Sequence, residues 1–208
     1  MKSVFFVAVS IFAALNIHAQ KIGLSPVDIT KQVLKDTQMP FARSTVAFSN
    51  SWHAAVWIVN DAVRPNGAVS RTRGDALGTM VSSAMPNKEI MNGKLHQTVK
   101  LEAGTYRFSA TVYSAQNLTQ AYVVAAPGNE LPDTDDVEQT ALGYAALPAT
   151  KIAVDTNPVF SVDFTLSEET TVSLGFVATL PSGANRQMFF REVKLEALRE
   201  GTVKKKKK

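Results

Sequence analysis

The side chains whose types and spacing suit ligand recognition gather between positions 52 and 75: Trp52, His53 and Trp57, then Arg71, Arg73 and Asp75. Indole rings lie against the apolar C–H faces of sugars, while guanidinium and carboxylate groups hydrogen-bond hydroxyls, so the set matches what a carbohydrate site requires. The surrounding stretch, Asp61 to Pro86, is rich in Gly, Asn, Ser and Arg, with a turn at Pro65-Asn66-Gly67. Loops of this composition carry function more often than strands do. Trp57 admits a second reading: Val56, Ile58 and Val59 surround it, and an aromatic ring in an apolar run packs into a core.

A second polar group, Asn129, Asp133, Asp135 and Asp136, lies in the stretch from Pro127 to Asp136. Two uses are open to it. Carboxylates just before a helix cap its free N–H groups and suit the positive end of its dipole. Hard oxygens from Asn129, Asp133 and Asp135, with backbone carbonyls, also suit calcium, although the spacing is not that of an EF-hand loop. Glycoside hydrolysis needs two carboxyls about 5 to 9 Å apart across the sugar, and aspartates engaged as helix caps do not supply that pair.

The absence of cysteine removes thiol catalysis, disulfides and a lipid-modified cysteine anchor. Past the leader only His53 and His96 remain for a Ser-His-acid arrangement, neither in a recognisable motif, and two separated histidines do not make a zinc site. His96 falls on the polar side of its strand and is expected at the surface. The chain is therefore expected not to be an enzyme and to need no cofactor beyond a structural calcium.

Strands must position these groups. Leu95 to Val112 alternates apolar and polar residues on both sides of Glu102-Ala103-Gly104 and predicts a β-hairpin. Such a unit cannot bury its apolar face alone, so a second sheet must cover it. Further strands are predicted at Val46 to Phe48, Val56 to Val59, Ala121 to Val124, Val159 to Leu166, Thr171 to Ala178 and Met188 to Leu198, with a hairpin turn at Ser167-Glu168-Glu169. Ile29, Val33 and Leu34 share one side of a short helix. A second helix is predicted to start after Asp133 or Thr134, carry Val137, Ala141, Leu142 and Ala145 at helical spacing, and end by Pro148. The fold class is all-β, an antiparallel β-sandwich of the jelly-roll kind with one or two short helices.

Residues 1–19 have the form of a signal peptide: Lys2, an apolar run from Val4 to Leu15, and the small Ala19 before Gln20. About a dozen apolar residues fall short of the roughly 20 that span a bilayer. The 22 Lys and Arg include Lys2 and the five lysines 204–208; without those six, 16 face 18 acidic residues, so the net charge of +4 belongs to the ends. The lysine run is expected to be a disordered tail over 199–208. Without interleaved basic and aromatic residues, no nucleic-acid partner is expected. The organisation is then a leader (1–19), an N-terminal lead-in packing on the sandwich (20–49), the sandwich (50–198) and the tail.

QTVKLEAGTYRFSATV (97–112), AYVVA (121–125), LPDTDDVEQTALGYAAL (131–147), FTLSEETTVSLGFVA (164–178) and FFREVKLEAL (189–198) together resemble the exported Bacteroidetes domain-of-unknown-function family 5013. More loosely, the pattern is similar to galactose-binding-domain-like jelly rolls, which include many carbohydrate-binding modules. The resemblance covers roughly Asn50 to Leu198 and implies an exported, periplasmic or extracellular, non-catalytic carbohydrate-binding-like module. It also implies a structural calcium to which Glu192, on the last strand, is a further candidate ligand. The alternative is a structural or protein-interaction domain of the bacterial cell surface, with a cell-surface protein in place of the glycan.

Overall fold

Period-2 runs rich in Val, Thr, Phe and Tyr become strands here as expected. The computed structural model describes residues 24–35, 37, 57–60, 78–81, 89–153, 156–182 and 187–200. These hold β1 (Leu24–Asp28), α1 (Thr30–Val33), β2 (Ile58–Val59), β3 (Gly78–Val81), β4 (Ile90–Leu101), β5 (Gly104–Gln116), β6 (Gln120–Pro127), α2 (Val137–Thr140), β7 (Gly143–Ala146), β8 (Val159–Leu166), β9 (Thr170–Leu180) and β10 (Gln187–Glu200). The leader, the strand expected at Val46 to Phe48 and residues 201–208 lie outside the described residues; Arg199 and Glu200, expected in the disordered tail, instead complete β10 opposite Ser25 and Leu24.

All pairings are antiparallel, in two sheets that make an all-β sandwich. Sheet A runs β1-β10-β5-β8, with β3 beside β1 on the same edge of β10, and sheet B runs β2-β4-β9-β6-β7. The core between them is built from alternate residues, among them Phe108, Val112, Phe164, Phe176, Leu174, Phe190 and Leu195. At its centre the Phe176 and Phe190 rings stack at 3.8 Å, with Trp57 within 6.3 Å of both. Such aromatic pairs contribute about 0.5–1.5 kcal/mol each beyond their buried area.

The hairpin expected at Leu95–Val112 is not one. β4 pairs with β2 and β9 in sheet B, whereas β5 pairs with β10 and β8 in sheet A. Glu102-Ala103-Gly104 is therefore a corner from one sheet to the other, latched by the Tyr106 hydroxyl donating to the Glu102 carbonyl at 2.9 Å. Ser167-Glu168-Glu169 is likewise a corner, from β8 in sheet A to β9 in sheet B. The two corners lie side by side, tied by the Lys100–Glu169 ion pair. Alternation says which residues face inward, and both arrangements bury the same residues, so the pattern cannot choose between hairpin and corner. Among the described residues, β6 and β7 are the only consecutive strands that are sheet neighbours.

Close approaches close both open sides of the sandwich. On one side β7 meets β8: a Cβ on Gly143 would sit 2.7 Å from the Asp163 carbonyl oxygen. α2 ends after a single turn, with Ala141 already extended, so the longer helix expected through Ala145 gives way to a strand, β7, paired with Tyr122–Ala125. On the other side the lead-in enters the sandwich itself. β1 pairs along Glu196–Glu200 and then leaves the ladder; Ile29 N donates to the Leu195 carbonyl at 3.0 Å, and Thr30 Oγ1 accepts from Leu195 N at 2.9 Å. Gln97, inward-facing on β4, satisfies its amide on the backbone N–H and carbonyl of Lys35. Because Ile29 N points at β10, alternation turns the nitrogens of Leu24, Pro26 and Asp28 outward. Pro26 thus sits where its missing N–H costs no ladder bond and blunts the free edge of β1.

Candidate functional site

Of the six residues predicted to form a ligand site, only Trp57 is described. It is 3% exposed and packs into the central aromatic cluster, so its ring is core and offers no stacking surface. Trp52, His53, Arg71, Arg73 and Asp75 lie outside the described residues. Their flanks are placed. Trp57 leads into β2, and Asn60 is clamped to β4, its side chain donating to the Asn92 carbonyl at 2.7 Å and accepting from Lys94 N at 3.0 Å. Gly78 opposes Phe190 in sheet A. The chain between Asn60 and Gly78 therefore has to pass from sheet B to sheet A.

The described polar side chains converge elsewhere, on the outer face of sheet B. The stretch 128–136 crosses this face as a strap. Tyr122, Val124, Ala126 and Val177 pack beneath it with Leu131 and Val137 in a second apolar cluster. Along β4 and β9 the contact is polar. Gly128 N donates to the Thr171 carbonyl at 2.8 Å, and Ser173 Oγ donates to the Gly128 carbonyl at 2.9 Å. At the far end Thr134 gives both its N–H, at 2.9 Å, and its hydroxyl, at 2.8 Å, to Asn92 Oδ1. Asn92 sits at a β-bulge with φ of 51°, a left-handed conformation that asparagine tolerates.

His96 lies under the middle of the strap. The surface position expected for it is wrong: it is 2% exposed. Its Nε2 is 3.0 Å from the Asn129 carbonyl oxygen, and since a carbonyl only accepts, Nε2 carries the proton of the neutral ring. Nδ1 is buried with no hydrogen-bond partner among the described residues. Room for the ring comes from its ladder partner Gly175, where a Cβ would fall 2.6 Å from His96 Cα and Cβ and closer still to the Leu95 carbonyl oxygen. Burial holds the His96 pKa below the ordinary histidine value. Asn129 and Glu130 oppose that shift, and Lys94 adds to it. A ring so enclosed cannot reach a substrate proton.

The expected calcium ligands do not form one set. Asp133 binds Lys94 Nζ at 2.6 Å, the Asn129 carbonyl is taken by His96, and Glu192 lies on β10 in the other sheet. Among the described residues no three acidic or histidine side chains lie close enough to share an ion. Asp133 and Thr134 do not cap α2 either; Asp136 holds the N-cap position without a side-chain hydrogen bond. The outer face of sheet A carries a bidentate pair from Arg107 to Asp163 at 2.6 and 2.7 Å and the Lys194–Glu196 pair at 2.6 Å. The Arg107 hydrogen bonds hold Asp163 below the usual carboxylate range.

Sequence reasoning missed the strap and the residues beneath it: Asn92, His96, Ser173, Gly175 and Thr179, whose hydroxyl accepts from Asn92 N at 3.2 Å. A signal was present. Ala121–Ala126 is apolar without interruption, and a strand that is apolar at successive positions is buried on both faces, so something had to cover the outer one.

A family model described as "Domain of unknown function (DUF5013)" matches residues 35–175. No curated protein matches the sequence. Two crystal structures of cleaved adhesin domains of Lys-gingipain from Porphyromonas gingivalis W83 are similar to this chain. The K3 domain has 14% identity and a TM-score of 0.38, covering 83% of this chain and 98% of that one. The K1 domain has 17% identity and a TM-score of 0.36, covering 70% and 91%.

Proposed function

This chain belongs to the DUF5013 family, and from that premise we propose that it is a non-catalytic binding module, exported to the periplasm or beyond, whose ligand is a carbohydrate. The observation that carries the reading is the anchoring of the chain around positions 52 to 75. Trp57 is sunk in the core, Asn60 is clamped to β4 on sheet B, and Gly78 pairs on sheet A, so along the sequence Trp52 and His53 stand just before one anchored point and Arg71, Arg73 and Asp75 stand between two. Segments that join the strands of a sandwich scaffold are where its binding residues sit. A binding role also accords with the described acids and bases, whose ion pairs and buried contacts are structural. Among the described residues no helix is long and apolar enough to cross a membrane.

In this site Trp52 supplies the stacking ring and Arg71 or Arg73 the hydrogen bonds to hydroxyls. A glycan array with the chain from Gln20 onward finds the ligand, and titration calorimetry of Trp52→Ala and Arg71→Ala measures the site. Loss of a stacking tryptophan is expected to cost about 2 kcal/mol, roughly thirtyfold in affinity. Unchanged affinity in both folded variants, or turnover of the glycan, refutes the reading. A protein-interaction role is the second reading, favoured by Leu24 and Val27, apolar and exposed on β1. A blank array together with a cell-surface protein partner lost on Leu24→Ser/Val27→Ser would favour it.

A further inference from the structure

We propose that His96 is an acid-sensitive latch for the strap, holding residues 128–136 against sheet B while its ring is neutral and releasing them when it is protonated. Geometry carries the inference. The ring is enclosed between the strap and the outer face of β4 and β9, 2% exposed, with Nε2 bound to the Asn129 carbonyl and Nδ1 buried without an acceptor. A proton added at Nδ1 would create a buried donor on a buried cation, the costliest state a side chain can be placed in.

The groups around the ring do not relieve that cost. On its own strand Lys94 is repulsive, and it is already committed to Asp133 of the strap. The neighbouring positions are Gly175 on β9 and Ile58 on β2, neither of which carries charge, and Ser173 of β9 gives its hydroxyl to Gly128. The strap contributes one favourable charge, Glu130, which together with the Asn129 carbonyl is outweighed by burial.

Opening the strap hydrates the ring and restores its ordinary affinity for protons. The closed form binds protons more weakly than the open form, so it keeps its full stability above the ordinary histidine value of 6.5 and loses it as pH falls below that point toward the depressed closed-state value. Release uncovers Tyr122, Val124, Ala126 and Val177, apolar residues the strap otherwise keeps from water.

The test is amide hydrogen exchange of the mature chain, corrected for intrinsic rates, at about pH 7.5 and about pH 5. Protection of 128–136 should fall by about tenfold per pH unit below the ordinary histidine value, while β5 and β8 stay protected. His96→Gln keeps a donor for Asn129 but cannot titrate, and should remove the pH dependence. An unchanged strap in wild type, or the same loss in His96→Gln, overturns the proposal. Should His96→Gln not fold, the wild-type ring decides by NMR: titration at or above 6.5 without a change at Asn129 also overturns it.

Discussion

Replacing Gly175 with alanine tests the packing on which the sheet B site rests. An added Cβ would press on backbone: the Leu95 carbonyl oxygen and, at 2.6 Å, His96 Cα and Cβ. No rotamer change relieves that overlap, because the atoms belong to the adjacent strand of the same ladder. β4 and β9 must part where His96 pairs with Gly175, or His96 must push into the strap. Overpacking of this kind costs about 1–3 kcal/mol, and each buried backbone group left unpaired adds about 1–3 kcal/mol. A loss of about 3–5 kcal/mol is expected. Gly128→Ala is the control in the strap itself, since nothing lies within 4 Å of its Cβ and only its φ of +89° opposes a side chain, at about 1 kcal/mol. Urea unfolding followed by circular dichroism measures both. A Gly175→Ala protein within about 1 kcal/mol of wild type would refute the close packing of β4 on β9.

Trp57→Ala should cost about 3–5 kcal/mol of stability, as expected for a large aromatic removed from a closed core, with loss of near-ultraviolet dichroism; a change under about 1 kcal/mol would place the ring outside the core. Asp163→Asn should cost under about 1 kcal/mol, since the pair with Arg107 is on the surface. Its contribution is present above the ordinary aspartate value and is lost as pH falls through the lower folded value, so acid unfolding curves of variant and wild type should converge at low pH.

Period and composition read the strands well. Val159–Leu166 appears at its predicted bounds; of the residues that alternation turns inward, Val162, Phe164 and Leu166 are buried and Phe160 is half-buried against the core. Pairing was not legible, because a hairpin and a corner impose the same alternation on Leu95 to Val112. His96 shows the same limit: its parity correctly put it on the outer face of β4, but what covers that face is set by residues more than thirty positions away along the chain. The second helix failed for a tertiary reason. Val137, Ala141, Leu142 and Ala145 have helical spacing, yet Gly143 is needed where β7 passes the Asp163 backbone, and tertiary contact overrode propensity. The predicted calcium ligands are not gathered into one set, because Glu192 belongs to the other sheet and Asp133 pairs with Lys94.

The alternation of consecutive strands between the two sheets sets how the chain can fold in time. Leu24 pairs with Glu200, and β10, the last strand made, is the centre of sheet A, with β1, β3 and β5 all waiting for it. Most contacts join residues far apart in sequence, so loop-closure entropy is lost before packing compensates for it, and folding belongs in the slow range typical of sandwiches, milliseconds to seconds. No fragment that stops short of β10 can complete sheet A, one of the two faces of the core. A polypeptide with this topology therefore keeps sheet A open, and one side of its core uncovered, until β10 is in place.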